Sequence, residues 1–321
     1  MLGFVVILLV GLLVMVAAMT LWTIRRLRRP PRRTFASAVA RGQPSDPSEL
    51  PTPRAFEAWP LSCRVRGRSM ELPVWDIAGD DPLGPVIVCT PGWSDSKLGA
   101  LQRMAALAPA CSRVLAWDPP GHGEAPGRCT LGTHEPEALG ALLDALSDEA
   151  LGRGVVLFGW SLGAGVAIVT AARRGADGRI MAVIAEAPYR LPMTPARNVV
   201  RLSGMPWTPN GPLAFTILGV SLGVGPRWNG FDRADYAGRL ACPLLVLHGT
   251  ADAVCPIEDG RAIARAATRG AVIAIEGADH NNLWTDERFR PQSVRATIDF
   301  IRSARLKSGT GASALAPASQ G

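Results

Sequence analysis

The sequence predicts an α/β domain, a mostly parallel eight-stranded sheet with helices on both faces and a cap insertion, preceded by one N-terminal transmembrane helix. Three observations predict it. Short apolar runs alternate with helical patterns between residues 56 and 306, the signature of strands joined by helical crossovers. A weakly charged, apolar insertion, residues 189–240, breaks that alternation once. An unbroken apolar or neutral run, Leu2 to Ile24, opens the chain.

The opening run meets the length that a spanning helix needs, about 20 residues. No basic side chain precedes it, and Arg25, Arg26, Arg28, Arg29, Arg32 and Arg33 follow it directly. A signal peptide carries its charge in front, so the pattern reads as an anchor, residues 1–24. The positive-inside rule then puts the arginines and the domain behind them in the cytoplasm, on a single-pass membrane protein. Residues 25–55 are basic and rich in Pro and Ser without apolar periodicity, the composition of a solvated tether. Deleting Met1 to Arg33 is therefore expected to leave a soluble, active protein. Strand-like runs follow at Ser62–Val65 and Leu72–Ile77, read as a hairpin, then at Val86–Thr90, Val114–Trp117, Val155–Phe158, Ile180–Ala185, Leu244–Leu247 and Val272–Ile275. Leu139, Leu142, Leu143 and Leu146 share one helical face, with Thr133 as the expected N-cap. A last helix is expected over Pro291–Arg305, and residues 307–321, mostly Ser, Gly, Ala and Pro, as a disordered tail.

Of the 321 residues 48% are hydrophobic and 19% charged, ample for one large packed domain. The net charge of +7 resides almost wholly in the six juxtamembrane arginines, which argues against nucleic acid and for contact with a membrane surface. Cys63, Cys89, Cys111, Cys129, Cys242 and Cys255 show no CxxC and no metal-ligand spacing, and read as reduced core residues, with pairing outside the cell as the alternative. No metal is expected.

After the run VVLF stands Gly159-Trp160-Ser161-Leu162-Gly163, followed by a small-residue helix pattern. A G-x-S-x-G alone is weak evidence, but between strand and helix it is the setting that exposes a nucleophilic serine on a sharp turn. A serine hydroxyl needs a base, and the base needs a carboxylate to hold its tautomer. Among four histidines, His280 in EGADHNNLW follows the last strand and is the expected base; His122, His134 and His248 are read as structural. Asp252 in HGTADAVCP, just past the seventh strand, is the expected acid, with Glu186 and Asp279 as rivals. Backbone amides of Leu162 and Trp93 are the expected oxyanion donors.

The ordered segments around PGW, DPPGHGEAPGRCTLG, GWSLGAG, HGTADAVCP and GADHNNLW resemble the α/β-hydrolase superfamily, in particular its esterase, lipase-like and thioesterase branches. The resemblance implies a serine hydrolase acting on a small-molecule ester through an acyl-enzyme, without metal or organic cofactor. Those branches usually have His-Gly where this chain has Pro91-Gly92, which keeps the amide donors and raises the question of what braces the oxyanion loop. The apolar insertion suits a hydrophobic acyl chain or ordinary cap packing equally. Acyl transfer by the same triad and a non-catalytic binding role are the alternatives.

Overall fold

The computed structural model describes residues 1–176 and 179–313. An 8-stranded sheet runs in the order β1-β2-β4-β3-β5-β6-β7-β8. Its strands are β1 (Phe56–Val65), β2 (Arg68–Ala78), β3 (Val86–Thr90), β4 (Arg113–Trp117), β5 (Val155–Trp160), β6 (Ile180–Glu186), β7 (Leu244–Gly249) and β8 (Gly270–Ile275). The hairpin β1–β2 and the pair β2–β4 are antiparallel, and every other pairing is parallel. Central strands covered on both faces cannot alternate polar with apolar. Accordingly all of β3, VIVCT, is buried, whereas β1 at the edge alternates.

The helices are α1 (Leu2–Arg28), α2 (Phe35–Val39), α3 (Met104–Leu107), α4 (Glu135–Asp144), α5 (Asp148–Gly152), α6 (Leu162–Arg174), α7 (Met193–Leu202), α8 (Asn210–Ser221), α9 (Arg233–Ala237), α10 (Ile257–Ala266) and α11 (Arg290–Ser313). One sheet face packs on α4, α6, α9 and α10, the other on α3 and α11. A third apolar cluster lies above the carboxyl ends of the strands, where Trp207, Phe215, Trp228 and Phe231 of the insertion stack in series on Leu162 and Tyr189. Leu27, from the last turn of α1, belongs to this cluster.

Three expectations change. Thr133 does not cap α4: its hydroxyl donates to the Thr130 carbonyl, and the N-cap position is His134. The buried Glu135 carboxylate instead accepts from the Thr130 and Gly132 amides, which is how the preceding turn is closed. Residues 25–55 are not a solvated tether, because α2 and the turn at Pro47–Glu49 pack down, burying Ala38, Ser45 and Pro47. The arginines that made the segment look solvated reach back to main-chain carbonyls, Arg28 to Cys129 and Arg32 to Ala125. Finally, α11 extends to Ser313 and takes in the start of the expected tail, of which 314–321 lie outside the described residues.

Candidate active site

β5 delivers the chain to Ser161, and α6 carries it away. Ser161 sits at φ 53°, ψ −115°, a region that L-residues avoid, so the turn is held by its surroundings. What holds it is close backbone packing. The Ser161 amide donates to the Glu186 carbonyl at 2.8 Å, tying the turn to the end of β6. A Cβ on Gly159 would lie 2.2 Å from the Gly163 carbonyl oxygen, and one on Gly163 would lie 2.0 Å from that of Thr90. Both obstacles are main chain, so neither can swing aside. Gly163→Ala is expected to force α6 off the end of β3, at a cost of about 1–3 kcal/mol, and to displace the serine. Thermal unfolding together with ester turnover checks this; wild-type values for both would contradict it.

His280 stands on the loop after β8, and its Nδ1 lies 2.7 Å from Asp252 Oδ2. A carboxylate only accepts, so Nδ1 carries a proton, and in the neutral ring Nε2 keeps its lone pair. Asp252 is held in turn: Oδ1 accepts from the amides of Val254 and Cys255 at 2.8 and 2.7 Å, and Oδ2 has the buried His248 Nε2 at 3.4 Å. Burial of Asp252 opposes its charge, but these donors outweigh it and hold the carboxyl well below the usual range. Burial of His280 opposes its protonation, but the hydrogen bond and charge of the Asp252 carboxylate, together with Cys255 when its sulfur is ionised, raise it well above its ordinary value. Cys255 is buried beside the pair, its sulfur within 4.8 Å of the Asp252 and His280 side chains. Among the described residues the hydroxyl makes no direct hydrogen bond to the imidazole; the two line the same two cavities.

One cavity, about 210 Å³, is mainly apolar, with Leu27, Leu131, Tyr189, Ala196, Val199 and Val254 in its wall. The other, about 360 Å³, is polar, with Arg33, Arg41, Gln43, Asp95 and Gln102 in its wall. Trp93 and Leu162 border the apolar cavity beside Ser161, and among the described residues neither backbone amide donates to any acceptor. Gly92 lets the loop pass against the serine, since a Cβ there would lie 3.2 Å from Ser161 Cβ.

The structure thus brings Asp252, His280, Ser161, Trp93 and Leu162 together. The rivals have other partners. Glu186 forms a buried two-pronged pair with Arg103 and accepts from Trp284 Nε1 at 2.7 Å. Asp279 closes its own loop through the Asn281 amide and the Asn282 side chain. His122 is buried beside the Pro120 carbonyl, and His134 bridges Glu137 and the Leu222 carbonyl. Two residues at the site were missed in the sequence. Cys255 is one; Asp252, Cys255 and His280 present donor atoms within 4.8 Å of one another, a set able to hold a cation. Its signal was the spacing D-x-x-C, since an aspartate that captures the amide three residues on folds that residue underneath itself. Asp95 is the other, accepting from Trp160 Nε1 at 2.9 Å and from Arg33 at 3.1 Å, and no local pattern marks it.

Comparison with known proteins agrees with this fold. Similar solved structures include an esterase of Pyrococcus furiosus (19% identity, TM-score 0.60, covering 86% of this chain and 98% of that one). An esterase from Thermogutta terrifontis follows (20% identity, TM-score 0.56, 78% and 99%). A third is a monoacylglycerol lipase of Paleococcus ferrophilus (24% identity, TM-score 0.53, 73% and 100%). At these identities the likeness is one of fold. A sequence comparison with curated proteins finds no match. The model of the Alpha/beta hydrolase family matches residues 87–296, well over half of the sequence and the stretch that holds all five site residues, so the chain belongs to the α/β-hydrolase family.

Proposed function

We propose that this is a membrane-anchored serine hydrolase that cleaves carboxylic esters with a hydrophobic acyl group through an acyl-enzyme intermediate. The observation that carries it is the Asp252–His280 hydrogen bond beside a serine held on a positive-φ turn, at the junction of an apolar and a polar cavity. The acyl chain enters the apolar cavity and the alcohol occupies the polar one. Ser161 Oγ attacks the carbonyl carbon while His280 Nε2 takes its proton, and the oxyanion is met by the unpartnered amides of Trp93 and Leu162. The imidazolium returns the proton to the departing alcohol. Water, deprotonated by the same nitrogen, then attacks the acyl-serine and releases the acid. The esterases and the lipase among the structural neighbours are in keeping with such a substrate.

By length and composition α1 can cross a membrane, and the arginines at its end support a cytoplasmic domain. All six cysteines are free and buried, which accords with a reducing compartment. A serine-directed fluorophosphonate should label Ser161 in the wild type and not in Ser161→Ala; equal labelling of both would refute the reading. Graded p-nitrophenyl esters should favour longer acyl chains over acetyl. The base must be neutral, and His280 is held above its ordinary 6.5, so kcat/KM should rise with pH through an inflection above 6.5. An acid limb at or below 6.5 would contradict that environment.

A further inference from the structure

We infer that the juxtamembrane segment from Arg26 to Arg33 is a positioning element of the active site, bracing the oxyanion loop from the membrane side. The inference rests on the serine-hydrolase reading above. The loop in question, Pro91–Asp95, is tied to the domain only at its end, where the Asp95 amide donates to the Gly92 carbonyl at 3.1 Å and Trp160 Nε1 donates to the Asp95 carboxylate at 2.9 Å; among the described residues no hydrogen bond from the domain holds Trp93 or Ser94. Pro91 offers no side-chain hydrogen bond, Gly92 has no side chain, and Ser94 sits at φ 69°, a strained conformation for a non-glycine residue. Its remaining side chains take hold of the juxtamembrane segment in order. Trp93 Nε1 donates to the Leu27 carbonyl at 3.0 Å, Ser94 Oγ donates to the Pro31 carbonyl at 2.9 Å, and Asp95 accepts from Arg33 at 3.1 Å. The Arg26 guanidinium lies 5.7 Å from the Trp93 ring centre, a cation on the face of the same indole.

The segment is itself fastened to the domain. Arg28 and Cys129 exchange bonds, backbone amide of Cys129 to carbonyl of Arg28 at 3.1 Å and Arg28 Nε to the Cys129 carbonyl at 2.6 Å. Arg32 donates to the Ala125 carbonyl at 2.9 Å. On the membrane side, Thr23 in α1 shares a 2.9 Å hydrogen bond with the Asn210 side chain of α8. The Trp93 amide is thus one residue's side chain away from the last turn of the apolar helix. Leu27 also walls the apolar cavity, so the same turn that braces the loop limits the acyl chain. Removing residues 1–33 would strip these three supports and leave Trp93 and Ser94 without any, with only the Asp95 end of the loop still held by Trp160, which reverses the expectation of an unimpaired soluble enzyme.

The test uses the full-length protein in detergent micelles, with turnover counted per active site titrated to completion by a fluorophosphonate. A defect that is merely structural lowers the melting temperature and the number of titratable sites and leaves turnover per site unchanged. Loss of bracing lowers kcat per site while KM stays within about twofold, because the oxyanion amide acts in the transition state. Trp93→Phe combined with Ser94→Ala should lower kcat per site about 10- to 100-fold, short of the 10²–10³ lost with a whole oxyanion donor. Arg33→Gln should behave likewise and Arg33→Lys should retain most of the activity. Leu27→Trp should shift the acyl preference towards shorter chains. Unchanged kcat per site in the double variant, or a rise in KM alone, would overturn the inference. A wild type that neither labels nor turns over would instead overturn the hydrolase reading.

Discussion

Ser161→Ala is expected to lower kcat by about 10⁵- to 10⁶-fold, the scale of removing one member of a triad that acts as a unit. The fold should tolerate the change. The Ser161 hydroxyl closes no helix cap and makes no hydrogen bond to main chain among the described residues; it faces the two cavities that it lines with His280. The strained turn is held by the Ser161 amide and by Gly159 and Gly163, all of which remain. The melting temperature should therefore move little while turnover vanishes. His280→Ala should cost about as much, and the double variant should be no worse than either, since a nucleophile without its base and a base without its nucleophile leave the same residual site. Steady-state turnover of a p-nitrophenyl ester checks this. Activity within 100-fold of wild type in Ser161→Ala would mean that another group attacks the substrate.

The parts of this site that were legible in the sequence are those set by local rules. Strands β3 to β7 read as short, fully apolar runs because parallel strands are buried on both faces, and their observed limits differ from the expected ones by two residues or fewer. Ser161, Asp252 and His280 each follow a strand, so the topology alone brings them to one edge. The edge hairpin was read too short, since β1 and β2 carry exposed charged residues outside their buried stretches, such as Glu57 before Leu61–Val65 and Arg68 before Leu72–Ile77. The segment from Arg25 onward was misjudged for a different reason. Its residues dock through carbonyls and guanidinium groups, Leu27 to Trp93 and Arg33 to Asp95 among them, and such contacts leave no apolar periodicity. Which acid pairs with His280 was open in the sequence for a similar reason: Glu186 ends β6 and Asp252 follows β7 at the same edge, and only their partners separate them.

Those partners make the two acids behave differently under the same amide substitution. In Asp252→Asn the side-chain oxygen must stay at the Oδ1 position, because the Val254 and Cys255 amides donate there at 2.8 and 2.7 Å. The NH₂ group then takes the place of Oδ2, 2.7 Å from His280 Nδ1. Two donors cannot face each other, so the imidazole must turn Nδ1 into the acceptor and carry its proton on Nε2, where it can no longer receive the serine's. Turnover should fall by about 10³- to 10⁴-fold with the fold intact, the loss expected of a wrong tautomer. Glu186→Gln meets no histidine. It removes the counter-charge of Arg103, whose guanidinium stays buried against Trp160. An unpaired buried charge costs about 3–5 kcal/mol, so this variant should lose stability and folded fraction while kcat per titrated site stays near wild type. Denaturant unfolding and active-site titration of both variants separate the cases: a normal kcat per site in Asp252→Asn, or a large loss in Glu186→Gln, would exchange their roles.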